Sequence, residues 1–255
     1  MGRMAGRFSR FPLLLKFLDV RGGLSVQVHP SDAAASLIPD GDTGKTEAWV
    51  VLEDGPGSRI YAGLKGKPTE ESLREAAANG SLTNQLASFV PNPGEALLIR
   101  AGTVHSLNDV VVFEVQENSD VTFRLYDWDH VDPGTGITRP LQVEKALACI
   151  DYDQGAIAPL PTVIETVTPA LREKVIDCEH FTMWRIRGED PLRVGAAYVP
   201  RVLVCLSGNA ALRHGGGTYP IGKGEVVLLP AIVGTCSCLP HGAVSLLEIA
   251  IPEGL

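Results

Sequence analysis

The chain has 255 residues, 45% hydrophobic and 20% charged, and its 30 Asp plus Glu against 22 Lys plus Arg give a formal charge of −8. A chain of this length and apolar content buries a core unaided, which excludes a small disulfide scaffold and a disordered chain. The acidic balance argues against sequence-nonspecific nucleic-acid binding, so an anionic substrate would be held by a few local cations.

From the N-terminus, Met1–Arg10 is basic and leads into the apolar run Phe11-Pro12-Leu13-Leu14-Leu15, an outline that a signal peptide shares. Lys16 and Asp19 interrupt the run, and no small-residue cleavage site follows. No other stretch approaches the roughly 18 apolar residues of a membrane span. Apolar runs bounded by Gly, Pro, Asn and Asp then recur at Leu24–Val28, Ala48–Leu52, Ala96–Ile99, Val110–Val115, Val202–Leu206, Val226–Leu229 and Val244–Ile251. Runs of this length predict strands. Helix is predicted for Thr69–Ala78, with Thr69 as N-cap and Glu70 and Glu71 in the first turn, and for Asn84–Phe89.

The class is therefore mainly β with a small helical insertion near residues 69–89. Pro93-Gly94-Glu95-Ala96-Leu97-Leu98-Ile99-Arg100-Ala101 is echoed by Lys223-Gly224-Glu225-Val226-Val227-Leu228-Leu229-Pro230-Ala231. Each is a Gly-Glu turn entering a buried strand, and the echo predicts two β-sandwich or barrel units in tandem. Asp151–Thr168, with Pro159 and Pro161, has linker composition and divides the chain into residues 1–150 and 169–255. The five cysteines, Cys149, Cys178, Cys205, Cys236 and Cys238, are odd in number and lack a CxxC spacing. Free thiols in a reducing cytoplasm are expected, with no membrane attachment.

Strand alternation puts Ser25, Gln27 and His29 on one face, with Leu24, Val26 and Val28 on the other. Glu47 opens the next strand-like run and shares a face with Trp49 and Val51, and a carboxylate facing inward needs a partner. The Arg100–Val104 turn delivers His105 at a strand end. Gln27, His29, Glu47 and His105 together offer the N/O donors that suit a divalent, zinc-like ion with an open coordination position. His130, His180, His214 and His241 lie in polar or Gly-rich surroundings without such partners.

Longer blocks carry a family resemblance. Phe11–Asp19, Leu24–Asp32, Gly44-Lys45-Thr46-Glu47, Ala101–Leu107 and Glu114–Asp129, in that order, resemble the type I mannose-6-phosphate isomerases in their short bacterial form. The match spans roughly residues 11–150. The resemblance implies tandem cupin-type β-sandwiches and one zinc ion per chain, held by the same Gln27, His29, Glu47 and His105. It also implies an active site containing Lys45, Glu114, Asp120 and Arg124. The implied substrate is a small phosphorylated sugar, and the implied reaction interconverts mannose 6-phosphate and fructose 6-phosphate through a cis-enediolate. Glu114 is the expected base, while Arg124 and Lys45 supply positive charge; the sequence leaves open which of them holds phosphate.

The chain departs from that family in having only ten residues before Phe11, where members carry some tens more, including a Trp-Gly-Gly segment. His130 also stands after Tyr126-Asp127-Trp128-Asp129 where Arg is frequent. Residues 169–255 resemble the second cupin unit only loosely and show no comparable His/Glu set, so a packing or interface domain without a metal site is expected. Two alternatives remain at this stage, a sugar-phosphate-binding cupin without turnover and an iron-dependent cupin oxygenase.

Overall fold

The strand-like run that begins at Glu47 extends far beyond its predicted end. In the computed structural model, which describes residues 1–251, it forms an 18-residue strand lying between several others. The chain divides into two compact units. One comprises Leu13–Pro159; the other takes Met1–Pro12 together with the chain from Leu160 onward.

The Leu13–Pro159 unit contains β1 (Leu13–Asp19), β2 (Val26–Val28), β3 (Glu47–Leu64), α1 (Glu70–Ala78), β4 (Leu86–Phe89), β5 (Ala96–Ile99), β6 (His105–Glu117), β7 (Phe123–Tyr126) and α2 (Val143–Cys149). All strand pairs are antiparallel, in the order β4-β3-β6-β2-β7, with β1 also on β6 and β5 also on β3. Trp49, Val51, Leu97, Ile99 and Val112 form one buried cluster. Val26, Val28, Phe123 and Leu125 form another, closed over by Leu73 and Ala76 of α1 and Leu147 of α2. Helix α1 starts where the sequence places it: Thr69 Oγ1 accepts from the Ser72 amide at 3.2 Å, satisfying one orphan donor of the first turn. Arg74 then bridges Glu70, Glu71 and Glu144, linking α1 to α2.

The second unit pairs β15 (Val226–Leu229), β12 (Arg201–Ser207), β17 (Val244–Ala250), β10 (Thr182–Gly188), β9 (Leu171–Asp177) and β8 (Val163–Thr166) in one sheet. A second sheet holds β11 (Leu192–Gly195), β16 (Thr235–Pro240), β13 (Asn209–His214) and β14 (Gly217–Gly222). Leu203, Cys205 and Leu246 of the first sheet pack with Leu212, Cys236 and Cys238 of the other.

The Gly-Glu echo is a structural repeat. Gly94 N donates to Val51 O at 2.8 Å and Val51 N to Glu95 O at 2.9 Å; Gly224 N donates to Cys205 O at 2.8 Å and Cys205 N to Glu225 O at 3.0 Å. With Val51 matched to Cys205, Glu47 corresponds to Arg201 and Trp49 to Leu203. Glu114, opposite Trp49, corresponds to Glu248, opposite Leu203. Lys16, opposite Glu114, corresponds to Trp184, opposite Glu248.

Three boundaries differ from the sequence expectations. Asn84–Phe89 is not helical: a 3₁₀ turn ends at Gln85 and β4 follows, because Phe89 and Ser88 find backbone partners at Ile60 and Tyr61 of β3. Residues 1–12 group with the second unit, where Arg3 N donates to Tyr198 O and the Arg3 guanidinium lies over the Tyr198 ring. The start of the linker-like segment belongs to the first unit, through Asp151 N to Gly102 O and Ile157 N to Ala62 O, while Val163–Thr166 is strand.

Candidate functional site

The order of strands explains how residues distant in sequence meet. Gln27 of β2 lies in register with both His105 of β6 and Arg124 of β7. Two glycines set the flanking turns. Gly44 passes so close to Pro30–Asp32 that a Cβ there would meet the Asp32 amide at 2.7 Å, and its N–H donates to Asp32 Oδ1 at 2.6 Å. Lys45 N then donates to Pro30 O, which brings Lys45 beside His29. Gly102, at φ +86, turns β5 into β6, and its N–H donates to His29 O at 2.8 Å.

His29, Glu47 and His105 converge in the interior, each about 1% exposed. His29 Nε2 lies 3.3 Å from Glu47 Oε2 and His105 Nε2 3.3 Å from Glu47 Oε1. Each imidazole is oriented from behind: His29 Nδ1 lies 2.9 Å from Val121 O, and His105 Nδ1 lies 2.9 Å from Thr103 O. A carbonyl partner requires an N–H at Nδ1, which leaves Nε2 carrying the lone pair in a neutral ring.

Burial keeps both rings neutral, lowering His29 to about 4 against the pull of Glu47 and lowering His105 as well. Burial alone would raise the Glu47 carboxyl, but Lys45, with Nζ at 3.1 Å, and the two imidazoles hold it well below the usual carboxylate range. Nitrogen lone pairs thus face carboxylate oxygens. His29 Nε2 and both Glu47 oxygens are buried without a hydrogen bond, and the three donor atoms lie within 4.8 Å of one another. Buried groups left this way call for a cation, and two imidazoles plus one carboxylate are a zinc-type donor set.

Gln27 presents Nε2 to His105 Nε2 at 3.2 Å, while its Oε1 accepts from Ser25 Oγ. It becomes a fourth ligand only with the amide turned over. The cluster opens onto a cavity of about 180 Å³ whose lining includes Lys16, Gln27, Lys45, His105, Glu114 and Arg124. Glu114 is 5% exposed; its Oε1 takes Lys16 Nζ at 3.0 Å and its Oε2 the Trp49 indole N–H at 3.1 Å. Lys16 also donates to Gln116 Oε1, whose amide in turn holds Ser119 O at 2.6 Å. Arg124 brings a guanidinium whose Nε is buried without a partner.

No protein-family model matches the chain. The mannose-6-phosphate isomerase ManA of Bacillus subtilis (strain 168) is 32% identical over 233 residues, spanning 90% of this chain and 71% of that protein. The chain belongs to the mannose-6-phosphate isomerase family. A crystal structure of the mannose 6-phosphate isomerase from Bacillus subtilis superimposes with a TM-score of 0.87 at 26% identity, covering 96% of this chain and 76% of that one. A zinc-bound mannose 6-phosphate isomerase structure shares the fold at a TM-score of 0.74 and 18% identity, over 97% of this chain and 81% of that chain.

Against this isomerase family background, the residues named from sequence fall into two groups. Gln27, His29, Lys45, Glu47, His105, Glu114 and Arg124 come together at or beside one cavity. Asp120 does not join them: it is exposed in the turn after the buried Ser119 and does not line the cavity. Tyr126 pairs with Val26 across a register shift and packs on the apolar cluster. Sequence reading assigned no role to Lys16, treating it as a break in an apolar run. The signal was there, since a lysine inside Leu13–Leu18 requires a counter-charge on the neighbouring strand.

Proposed function

We propose that this chain is a zinc-dependent aldose–ketose isomerase that interconverts mannose 6-phosphate and fructose 6-phosphate. The observation that carries this is the convergence of His29, Glu47 and His105, with unpaired buried donor atoms, beside the cavity lined by Lys16, Glu114 and Arg124, in a chain of the mannose-6-phosphate isomerase family. His29 Nε2, His105 Nε2 and Glu47 would hold the zinc, with Gln27 as a fourth ligand once its amide turns over. When bound, the zinc supplies Lewis-acid polarisation of the sugar oxygens, with no redox chemistry.

The chain's own groups do the rest. Glu114 takes the proton from C2 of the open-chain aldose; the C–H electron pair becomes the C1=C2 bond of a cis-enediolate and the carbonyl electrons move onto O1. The same carboxylate returns the proton to C1 while the O2–H electron pair closes the C2=O bond and the O2 proton passes to O1, so the exchange balances without another reactant. Lys16, 3.0 Å from Glu114, adds positive charge where the enediolate develops. Arg124 offers a planar fork of donors to phosphate or enediolate oxygens. Lys45 balances Glu47 beside the metal ligands. The five cysteines stand outside any disulfide among the described residues, in keeping with a reducing cytoplasmic setting. Among the described residues no helix is long and apolar enough to cross a membrane.

A coupled assay for fructose 6-phosphate formation, with and without chelator and zinc restoration, tests the proposal, with metal content measured on protein purified without added ions. Chelator-sensitive turnover restored by zinc is the expected result. Binding of mannose 6-phosphate without turnover would make the chain a sugar-phosphate-binding protein, and tightly held iron with oxygen consumption would make it an oxygenase.

A further inference from the structure

Trp49 is 2% exposed, lies in register opposite Glu114, and donates its indole N–H to Glu114 Oε2 at 3.1 Å. Its ring edge meets the His105 imidazole with centroids 5.4 Å apart. One rigid side chain therefore touches both the cavity carboxylate and a metal ligand. Among the described residues lining the cavity, Glu114 is the one carboxylate.

From this geometry, and resting on the isomerase reading above, we infer that Trp49 is a positioning residue for the proton transfer. The Trp49 N–H and the Lys16 ammonium take one carboxylate oxygen each and fix the plane of the carboxyl group. Each oxygen keeps a second lone pair, from which the C2 proton is accepted and to which it is lost on return to C1. Without the N–H the carboxyl group pivots about its contact with Lys16, and the alignment with C1 and C2 is lost.

The second unit provides an internal contrast. At the register of Trp49 it carries Leu203, opposite Glu248, and that carboxylate is held instead by Arg172 Nη1 at 2.8 Å and Gly195 N at 3.0 Å. This scaffold position is thus filled by leucine where no cavity carboxylate needs orienting. What distinguishes Trp49 beyond its bulk is the N–H.

The test replaces Trp49 by β-(3-benzothienyl)alanine, which exchanges the indole N–H for sulfur and keeps the ring shape, with Trp49→Phe alongside. In the zinc-loaded enzyme the isostere should lower kcat about ten- to a hundredfold, the loss of one hydrogen bond to a charged group. KM for mannose 6-phosphate and zinc stoichiometry should stay at parent values with the melting temperature only a few degrees lower, and Trp49→Phe should lower kcat at least as far. As a readout independent of activity, the Trp49 indole ¹H–¹⁵N resonance should shift and exchange faster in Glu114→Ala. Parent-like kcat in the isostere, a loss that tracks lost zinc, or an unmoved indole resonance overturns the inference while leaving the isomerase reading intact. A parent chain without turnover overturns both.

Discussion

Replacing Glu47 by Gln tests whether the site is organised around one buried anion. Lys45 Nζ lies 3.1 Å from Glu47 Oε2, and both side chains are almost fully buried. At an effective dielectric near 20 the attraction between them is about 5 kcal/mol before desolvation is counted. Glu47→Gln removes the anion and leaves the ammonium buried beside two imidazoles. A broken buried pair costs roughly 3–5 kcal/mol, so with a urea slope of about 2 kcal/mol per molar the midpoint of the metal-free protein should fall by about 2 M. Unfolding is followed by fluorescence, which in this unit reports Trp49 and Trp128. The companion variant Glu47→Gln with Lys45→Met removes both charges and should recover most of the lost stability. Neither variant should retain stoichiometric zinc. A double variant as unstable as Glu47→Gln alone would refute the charge argument, because the cost would then lie in packing.

Three further outcomes follow from the same geometry. Burial lowers His29 from 6.5 to about 4, so the unfolded chain binds a proton that the folded chain refuses across that interval. The contribution is fully present above pH 6.5 and is lost as pH falls towards 4, about 3 kcal/mol in all; urea midpoints of metal-free protein at pH 7.5 and pH 5 should show it, and a flat profile would contradict it. Arg124→Ala should lower kcat/KM at least about a hundredfold with zinc content unchanged, and Arg124→Lys should recover little because it lacks the planar fork; near-parent turnover of Arg124→Ala in the coupled assay would place Arg124 outside the chemistry. Thr69→Ala deletes the α1 cap and should cost about 1 kcal/mol by urea unfolding while kcat stays unchanged, and a large kcat loss would show that the helix does more than cover the apolar cluster.

The legible parts of this chain are those where one residue type answers to one physical demand. Val26 and Val28 against Gln27 announce a buried face and a polar one, and the same period puts His29 with Gln27 and Glu47 with Trp49. Thr69 with two glutamates announced a helix start. Asn84–Phe89 was misread because its four strand residues draw their order from β3, a partner invisible to local pattern. Lys16 was missed because its counter-charge is 98 residues away. Asp120 shows the reverse: a charge beside motif residues in sequence is exposed once the chain turns.

The repeat means that one scaffold meets the same electrostatic problem twice and solves it differently. Where β3 places Glu47, β12 places Arg201, and the carboxylate at the Glu114 register, Glu248, is neutralised by Arg172 at 2.8 Å with Arg201 at 3.6 Å. One half meets its buried carboxylate with arginines, while the other adds a metal ion to the lysines that pair with Glu47 and Glu114. A permanent guanidinium cannot be chelated or diluted away, so Glu248 keeps its counter-charge whatever the metal supply. Folding of the metal-binding half is tied to that supply by mass action. Added zinc should therefore raise the urea midpoint of the metal-free protein by an amount that grows with the free zinc concentration.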